Sequence, residues 1–243
     1  MTGTSFDRLD RAPAYRVVEA RIRSQIVGGT ILEGSYLPTE QDLADQLGVT
    51  RQTVREAIRS LENAGLVERG KQRRLRVARP SHQALQSSHS EALLLHGITY
   101  RELWEFEMAL DPDIAGLAAE RCTPDMAERL QANLDQTKSV LSDPEALTQV
   151  DIEFHSLVAE ATDNKAIQLA RAPIMSLLFP AYAAVIRSID PGNRLLRAHT
   201  RVVAAIVSGD SDEAAEWMGK HIRDFRRGCE MVGLDFDAPV QRV

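Results

Sequence analysis

The 243-residue sequence predicts a mainly α protein in two parts. The first is a small head of three helices and a hairpin. The second is an all-α antiparallel bundle of six or seven helices. Three observations predict it. Residues 37–61 read as two short amphipathic helices joined by a tight turn at Gly48, with a basic hairpin behind them. From Tyr100 onward, apolar residues recur at helical spacing with frequent helix-start signals, and no strand pattern survives. Charge divides in the same place. Residues 1–80 hold 14 Lys and Arg against 10 Asp and Glu, whereas the remainder holds 15 against 25. A basic head on an acidic body fits a DNA-binding module joined to something else, despite an overall charge of −6.

Composition narrows the class further. Hydrophobic residues make up 44%, ample for folded cores. No apolar run suggests a membrane span, and the start, MTGTSFDRLDRAPAY, lacks the apolar core of a secretion signal. Cys122 and Cys229 are far apart with no metal or redox spacing, which suits a reducing cytoplasm. The expectation is a cytoplasmic protein with no membrane partner.

In the head, Tyr15, Val18, Ile22 and Ile26 place a first helix over about 13–27, stopped by Gly28 and Gly29. Residues 31–37 form a connector ended by Pro38. Thr39 is the expected N-cap of the second helix, with Asp42 as its capping-box partner, and Leu43 and Leu47 face inward. After the turn at Gly48, Thr50 opens a third helix. Arg51, Gln52, Thr53 and Arg55 crowd its start, while Val54, Ile58 and Leu61 run behind them. A recognition helix needs that division, because its first residues must reach base edges and phosphates while its other face packs. Gly65 ends the run. Residues 66–69 and 75–77 then read as a hairpin bearing Arg69, Lys71, Arg73, Arg74 and Arg76. Such charge also protects a solvated edge strand, but directly behind a helix-turn-helix it fits a wing on the DNA backbone.

This arrangement resembles the winged helix-turn-helix of the GntR family of bacterial transcription regulators. The resemblance rests on Leu37-Pro38-Thr39-Glu40, Leu43-Ala44, Gly48-Val49-Thr50-Arg51, Val54-Arg55-Glu56-Ala57, Leu61 and Gly65-Leu66. It implies DNA contacts from Arg51, Thr53 and Arg55, with Thr50 and Gln52 close by and Lys71, Arg73 and Arg74 on the wing. Two departures stand out. Gln41 replaces an arginine frequent in the family, and Gly70-Lys71-Gln72 replaces a Gly-x-Gly wing tip.

Residues 80–98 read as a polar linker and the start of the bundle, with His82, His89 and His96 as solvated side chains. Four helix openings follow at Thr123-Pro124, Asp143-Pro144, Asp190-Pro191 and Asp210-Ser211. Leu103, Leu110, Ile114 and Leu117 mark the first long helix. Met126, Leu130, Leu134 and Leu141 mark the second, and Val150, Phe154, Leu157 and Ala161 the third. A fourth, around 166–189, contains Pro173 and Pro180 and is expected to kink or break. The divisions are therefore a head over 1–79, a linker over 80–98, a helical domain over 99–232 and a tail over 233–243.

Three of these helices carry ligand-type residues. Asp151 and His155 are four apart on one face, with Cβ atoms roughly 5–6 Å apart. His199 lies among Leu195, Leu196, Val202 and Val203, and His221 among Trp217, Met218, Ile222 and Phe225, so both face inward. An inward histidine is usually a satisfied core residue. Three of them with a buried carboxylate would each need a partner, and one divalent cation serves all four. Imidazole and carboxylate suit zinc, manganese, nickel or iron without choosing among them, and zinc is the expected ion.

This half resembles the FCD effector-binding domain of the FadR subgroup of GntR regulators. The match runs from about Tyr100 to Phe225, on Leu103-x-Glu105, the 110–119 helix, Asp151-x-x-x-His155, His199 and His221. It implies that Asp151, His155, His199 and His221 hold a metal above an effector pocket. Members commonly carry an arginine on the first helix that pairs with an effector carboxylate. Here Glu107 takes that place, which favours a monoanionic effector with donor groups over a dicarboxylate. The reading is a ligand-responsive regulator, a repressor, that binds a palindromic double-stranded DNA operator as a homodimer. Its effector is an organic or sugar acid, or an amino-acid-like metabolite. Two alternatives remain open: a metal sensor in which the cation is the signal, and a metalloenzyme.

Overall fold

A computed structural model describes residues 12–70, 74–189 and 192–241. Asp190-Pro191, Lys71 and Arg73 lie outside the described residues, as does the side chain of His82. The chain divides into two compact units, residues 1–85 and 86–243.

The first unit is built on α1 (Ala14–Val27), α2 (Glu40–Leu47), α3 (Arg51–Asn63), β1 (Val67–Arg69) and β2 (Leu75–Val77). Each boundary has a local cause. Thr39 accepts a hydrogen bond from the Asp42 backbone while Asp42 answers the Thr39 N–H, closing the capping box that starts α2. Gly48 ends α2 in the left-handed region at φ 66°, where a side chain would be strained. Thr50 then caps α3 by accepting from the Thr53 N–H. One face of α3 is completely buried through Val54, Ala57, Ile58 and Leu61. Val18, Ile22, Leu43, Val67 and Val77 complete that core. Burying each large apolar side chain is worth about 1.5–3 kcal/mol, so this face fixes which side of α3 remains outside. The strands pair antiparallel, Val67 with Val77 and Arg69 with Leu75, and Tyr36 bridges to Arg76 beside them.

Among the described residues, the second unit holds most of α4 (His82–Leu95), which it enters at residue 86, and all of α5 (Tyr100–Arg121), α6 (Pro124–Ser139), α7 (Pro144–Ala161), α8 (Lys165–Ile189), α9 (Gly192–Ser208) and α10 (Ser211–Met231). Thr99, Thr123, Asp143 and Asp210 cap α5, α6, α7 and α10 through their side chains. Helices α5 and α10 approach closely at Gly116, where a Cβ would lie 2.9 Å from the Ser211 hydroxyl. Trp104 ties the same pair by donating to the Ile222 carbonyl at 3.1 Å.

The structure bears on three expectations. Within the stretch read as a linker and the start of the bundle, residues 82–95 are helical, because α4 lies on α8. Gln86 donates to the Ala172 carbonyl, Ser90 reaches the Pro173 carbonyl and Ser176, and Leu93 and Leu94 pack on the core. Second, α8 does not break at its prolines but runs as one 25-residue helix through Pro173 and Pro180. An interior proline costs about 3 kcal/mol. Burial of Ile174, Met175, Leu177, Leu178, Tyr182, Val185 and Ile186 outweighs two of them. Third, α8 is long and apolar enough to cross a membrane by length and composition. Its apolar side chains are spent on the bundle interior instead, with 61% of that stretch buried. The last described residues are also part of the core. Phe236 and Val240 are buried, and the Val240 N–H donates to the Ile98 carbonyl at 2.8 Å.

Candidate metal centre and nucleic-acid interface

In the head, the exposed start of α3 and the hairpin enclose a basic groove of about 770 Å³. Arg51, Arg55, Arg59, Arg69 and Arg74 line it, with Glu40 among them. The Glu40 carboxylate stands 3.4 Å from Arg51 and 3.6 Å from both Arg55 and Arg69, so one acid gathers cations from α3 and β1. Arg69 also pairs with Glu62 at 2.9 Å, and Arg74 lies over the Tyr36 ring at 4.4 Å. Arg76 pairs with Glu68 across the hairpin and is not among the groove residues. Gln52 is exposed and donates to Glu56, whereas Thr50 and Thr53 share a hydrogen bond between their hydroxyls. Gln41 is at the groove and donates to Asp45 at 2.9 Å.

In the bundle, α7 carries Asp151 and His155, α9 carries His199 and α10 carries His221. These four residues bring one ligand atom each within 4.8 Å of one another. His155 Nε2 and His199 Nε2 lie 3.1 and 3.4 Å from His221 Nε2. Asp151 Oδ1 is 3.2 Å from His199 Nε2 and 3.8 Å from His221 Nε2. Donors bound tetrahedrally at ~2.0–2.1 Å from one zinc ion would stand ~3.3 Å apart, close to the three shortest of these spacings, so the cluster could hold a single small cation. The hydrogen bonding points the same way. Both Asp151 oxygens are buried and neither accepts a well-formed hydrogen bond, although His199 Nε2 stands 3.2 Å from Oδ1. Leaving a buried carboxylate unpaired is costly, and a cation at the centre removes that cost.

Ionisation is set for the same purpose. Burial and the neighbouring imidazoles hold His221 well below the usual histidine range. Burial likewise lowers His199, against the pull of Asp151. Burial pushes Asp151 up, but His199, His155 and His221 together outweigh it and keep the acid ionised. Neutral imidazoles and one carboxylate are the forms that bind a divalent ion. Phe154 stacks on His199 with ring centroids 3.6 Å apart and fixes its plane.

A second layer of polar groups lies behind the four. Asp111 on α5 faces His155 Nδ1 at 3.4 Å and takes a two-pronged ion pair from Arg171 on α8. Burial raises Asp111, but Arg171 outweighs it and keeps the acid well below the ordinary carboxylate range. Glu107 is fully buried, 3.6 Å from Arg171, and accepts from the Tyr182 hydroxyl at 3.3 Å. Burial and the charge of Asp111 push Glu107 up to about 8, against the pull of Arg171. Glu107 therefore sits in this inner network as the protonated acid and does not line the cavities that reach His221. Sequence reasoning missed Arg171. Its signal is a lone guanidinium in the middle of an otherwise apolar helix, where a buried charge needs a partner.

Comparison with known proteins agrees with both halves. Residues 14–77 match the family described as "Bacterial regulatory proteins, gntR family", and residues 102–224 match the "FCD domain". The HTH-type transcriptional repressor NanR of Cronobacter sakazakii is 30% identical over 221 residues, covering 88% of this chain and 84% of that protein. NanR of Escherichia coli K12 is 27% identical, covering 88% and 83%. Among solved structures, Streptococcus agalactiae GntR aligns with a TM-score of 0.66 at 26% identity, over 88% of this chain and 99% of that one. These relatives are transcription regulators and not enzymes, which removes the metalloenzyme alternative. The chain belongs to the GntR family, in the FadR-like subgroup that joins a helix-turn-helix head to an FCD domain, and is a ligand-responsive DNA-binding transcription regulator.

Proposed function

We propose that this regulator is a cytoplasmic, NanR-like repressor that holds one divalent metal in its FCD domain and leaves a palindromic operator when a small anionic metabolite binds. In this reading Arg51, Gln52, Thr53 and Arg55 read the operator as the exposed start of α3, with Thr50 beside them. Arg69 and Arg74 neutralise phosphates, as do Lys71 and Arg73 of the hairpin tip, and two copies of the chain bind the two half-sites. Asp151, His155, His199 and His221 would hold the metal, with zinc the proposed ion and manganese, nickel or iron equally compatible with the ligand set. When bound, the cation supplies fixed positive charge and open positions for oxygen atoms of the effector. Asp111 orients His155 and Arg171 holds Asp111 in place. An effector can shift the protein off DNA only by binding one conformation more tightly than the other.

The observation that carries the proposal is the convergence of four buried donor atoms whose carboxylate has no well-formed hydrogen bond. Elemental analysis of protein purified without added metal should find close to one equivalent per chain. His199→Ala should lose most of it and melt at a lower temperature. A metal-free protein that gains no stability from zinc, manganese or nickel would reduce the four residues to core packing.

A further inference from the structure

Although the body of the chain is acidic, a cleft between α9 and α10 gathers cations. Its volume is about 330 Å³, at the small end of the range for metabolite pockets. Arg194, Arg197, Lys220, Arg223 and Arg227 line it beside Trp217, and Asp224 is the one carboxylate in its wall. Asp224 pairs with Arg194 at 3.2 Å and Lys220 with Glu216 at 2.5 Å. Arg197 and Arg227 make no ion pair among the described residues, and Arg223 has only the more distant charge of Glu216, itself paired with Lys220, to offset it. Three guanidiniums around one concavity, at most one of them partly offset, repel each other, and an anion with several oxygens relieves all of them through charge-assisted hydrogen bonds.

The position of the cleft gives it a role. Of the four candidate metal ligands, Asp151 and His199 have no exposure and His155 has 1%, whereas His221 retains 7%. His221 is also the one ligand that lines this cleft. The metal centre therefore meets solvent on the basic side. Arg194, Asp224 and His221 further line a small cavity of about 30 Å³, walled by Tyr182, Val185, Leu195 and Phe225.

We propose that this cleft is the anion subsite for the effector. It takes a small metabolite bearing a phosphate ester or carboxylate, holds that group on Arg197, Arg223 and Arg227, and brings the rest of the molecule over His221. The assignment rests on the metal-and-effector reading above. It replaces the expectation that the residue at position 107 selects the effector, because Glu107 lies in the core, whereas the guanidiniums that face an anion line this cleft.

Titration calorimetry and thermal shift on the full-length protein test it. The probes are glucose 6-phosphate and glucuronate, with glucose as the neutral control. At least one anion should bind and raise the melting temperature where glucose does not, and their relative affinity separates phosphate ester from carboxylate. Arg197→Ala/Arg223→Ala, and separately Arg227→Glu, should weaken that anion at least 10-fold. Metal content and DNA affinity without anion should stay unchanged. The proposal is overturned if neither anion binds better than glucose, or if the variants bind the anion as tightly as the parent. It is also overturned if the variants lose DNA affinity without anion, which would make the cleft a nucleic-acid surface. A parent protein that contains no metal, yet binds the anion in a way the variants abolish, would sink the metal reading and leave the cleft standing.

Discussion

One buried guanidinium decides the ionisation of the acids beside the metal centre. Arg171 can neutralise one carboxylate fully, and its two-pronged contact goes to Asp111. Glu107, left at 3.6 Å, keeps its proton to about pH 8. In the unfolded chain the same acid titrates near its ordinary value of 4.5. The folded state therefore holds a proton that the unfolded state has released throughout the window from about 4.5 to about 8. Stability from this group is full below the lower value and is lost as pH rises through the upper one. Glu107→Gln removes that loss. In chelator-treated protein the variant should melt no higher than the parent at pH 5. At pH 8 it should melt about 5 °C higher or more, since ~1 kcal/mol moves a domain of this size by 2–4 °C. Equal gaps at the two pH values would show that Glu107 is ionised in the fold. The four metal-type residues were legible because Asp151 and His155 are a helical turn apart and His199 and His221 sit in apolar stripes. Arg171 was not, because its partner is 60 residues away and no local pattern marks that contact.

One carboxylate at the start of α2 joins the elements proposed to face DNA. Glu40 lies within 3.6 Å of Arg51 and Arg55 on α3 and of Arg69 on β1. Exposed ion pairs add little to stability, ~0–1 kcal/mol. Their value here is to hold long side chains in the pose that meets the operator, which lowers the ordering cost of binding. Glu40→Gln should leave the melting temperature nearly unchanged. It should leave non-specific DNA binding equal or stronger, because a negative charge has left the surface, and should weaken operator binding by about 10-fold, ~1.4 kcal/mol. Competition binding against random-sequence DNA reads the ratio, and an unchanged ratio would mean that Glu40 does not position the arginines. At this scale the sequence was most informative where ends carry their own chemistry. The Thr39 capping box, the Gly48 turn and the Thr123, Asp143 and Asp210 caps all follow from local hydrogen bonding. It was least informative for α4, whose polar residues satisfy linker composition while bonding to α8. The continuity of α8 was equally hidden, since tertiary burial overrides a local helix-breaking rule.

The two units have separate cores, one around Val54, Ile58 and Leu61 and the others within the bundle. The candidate metal site lies wholly in the second unit, on α7, α9 and α10. Metal free energy is folding free energy for whichever unit supplies the ligands. Removing the ion should therefore destabilise the bundle and spare the head. The chain carries its own reporter for this, because its two tryptophans, Trp104 and Trp217, both belong to α5 and α10 of the bundle. Tryptophan fluorescence follows bundle unfolding, while far-ultraviolet circular dichroism follows helices in both units. With metal bound, the fluorescence midpoint should lie well above its chelated value, and the shift should shrink in Asp111→Asn, whose His155 has lost its orienting charge. The dichroism curve should retain a component, scaled to α1, α2 and α3, whose midpoint ignores chelator. Coincident midpoints by both probes at every metal concentration would instead mean that the units unfold as one cooperative body. The metal would then stabilise the DNA-reading helix as directly as the helices that hold it.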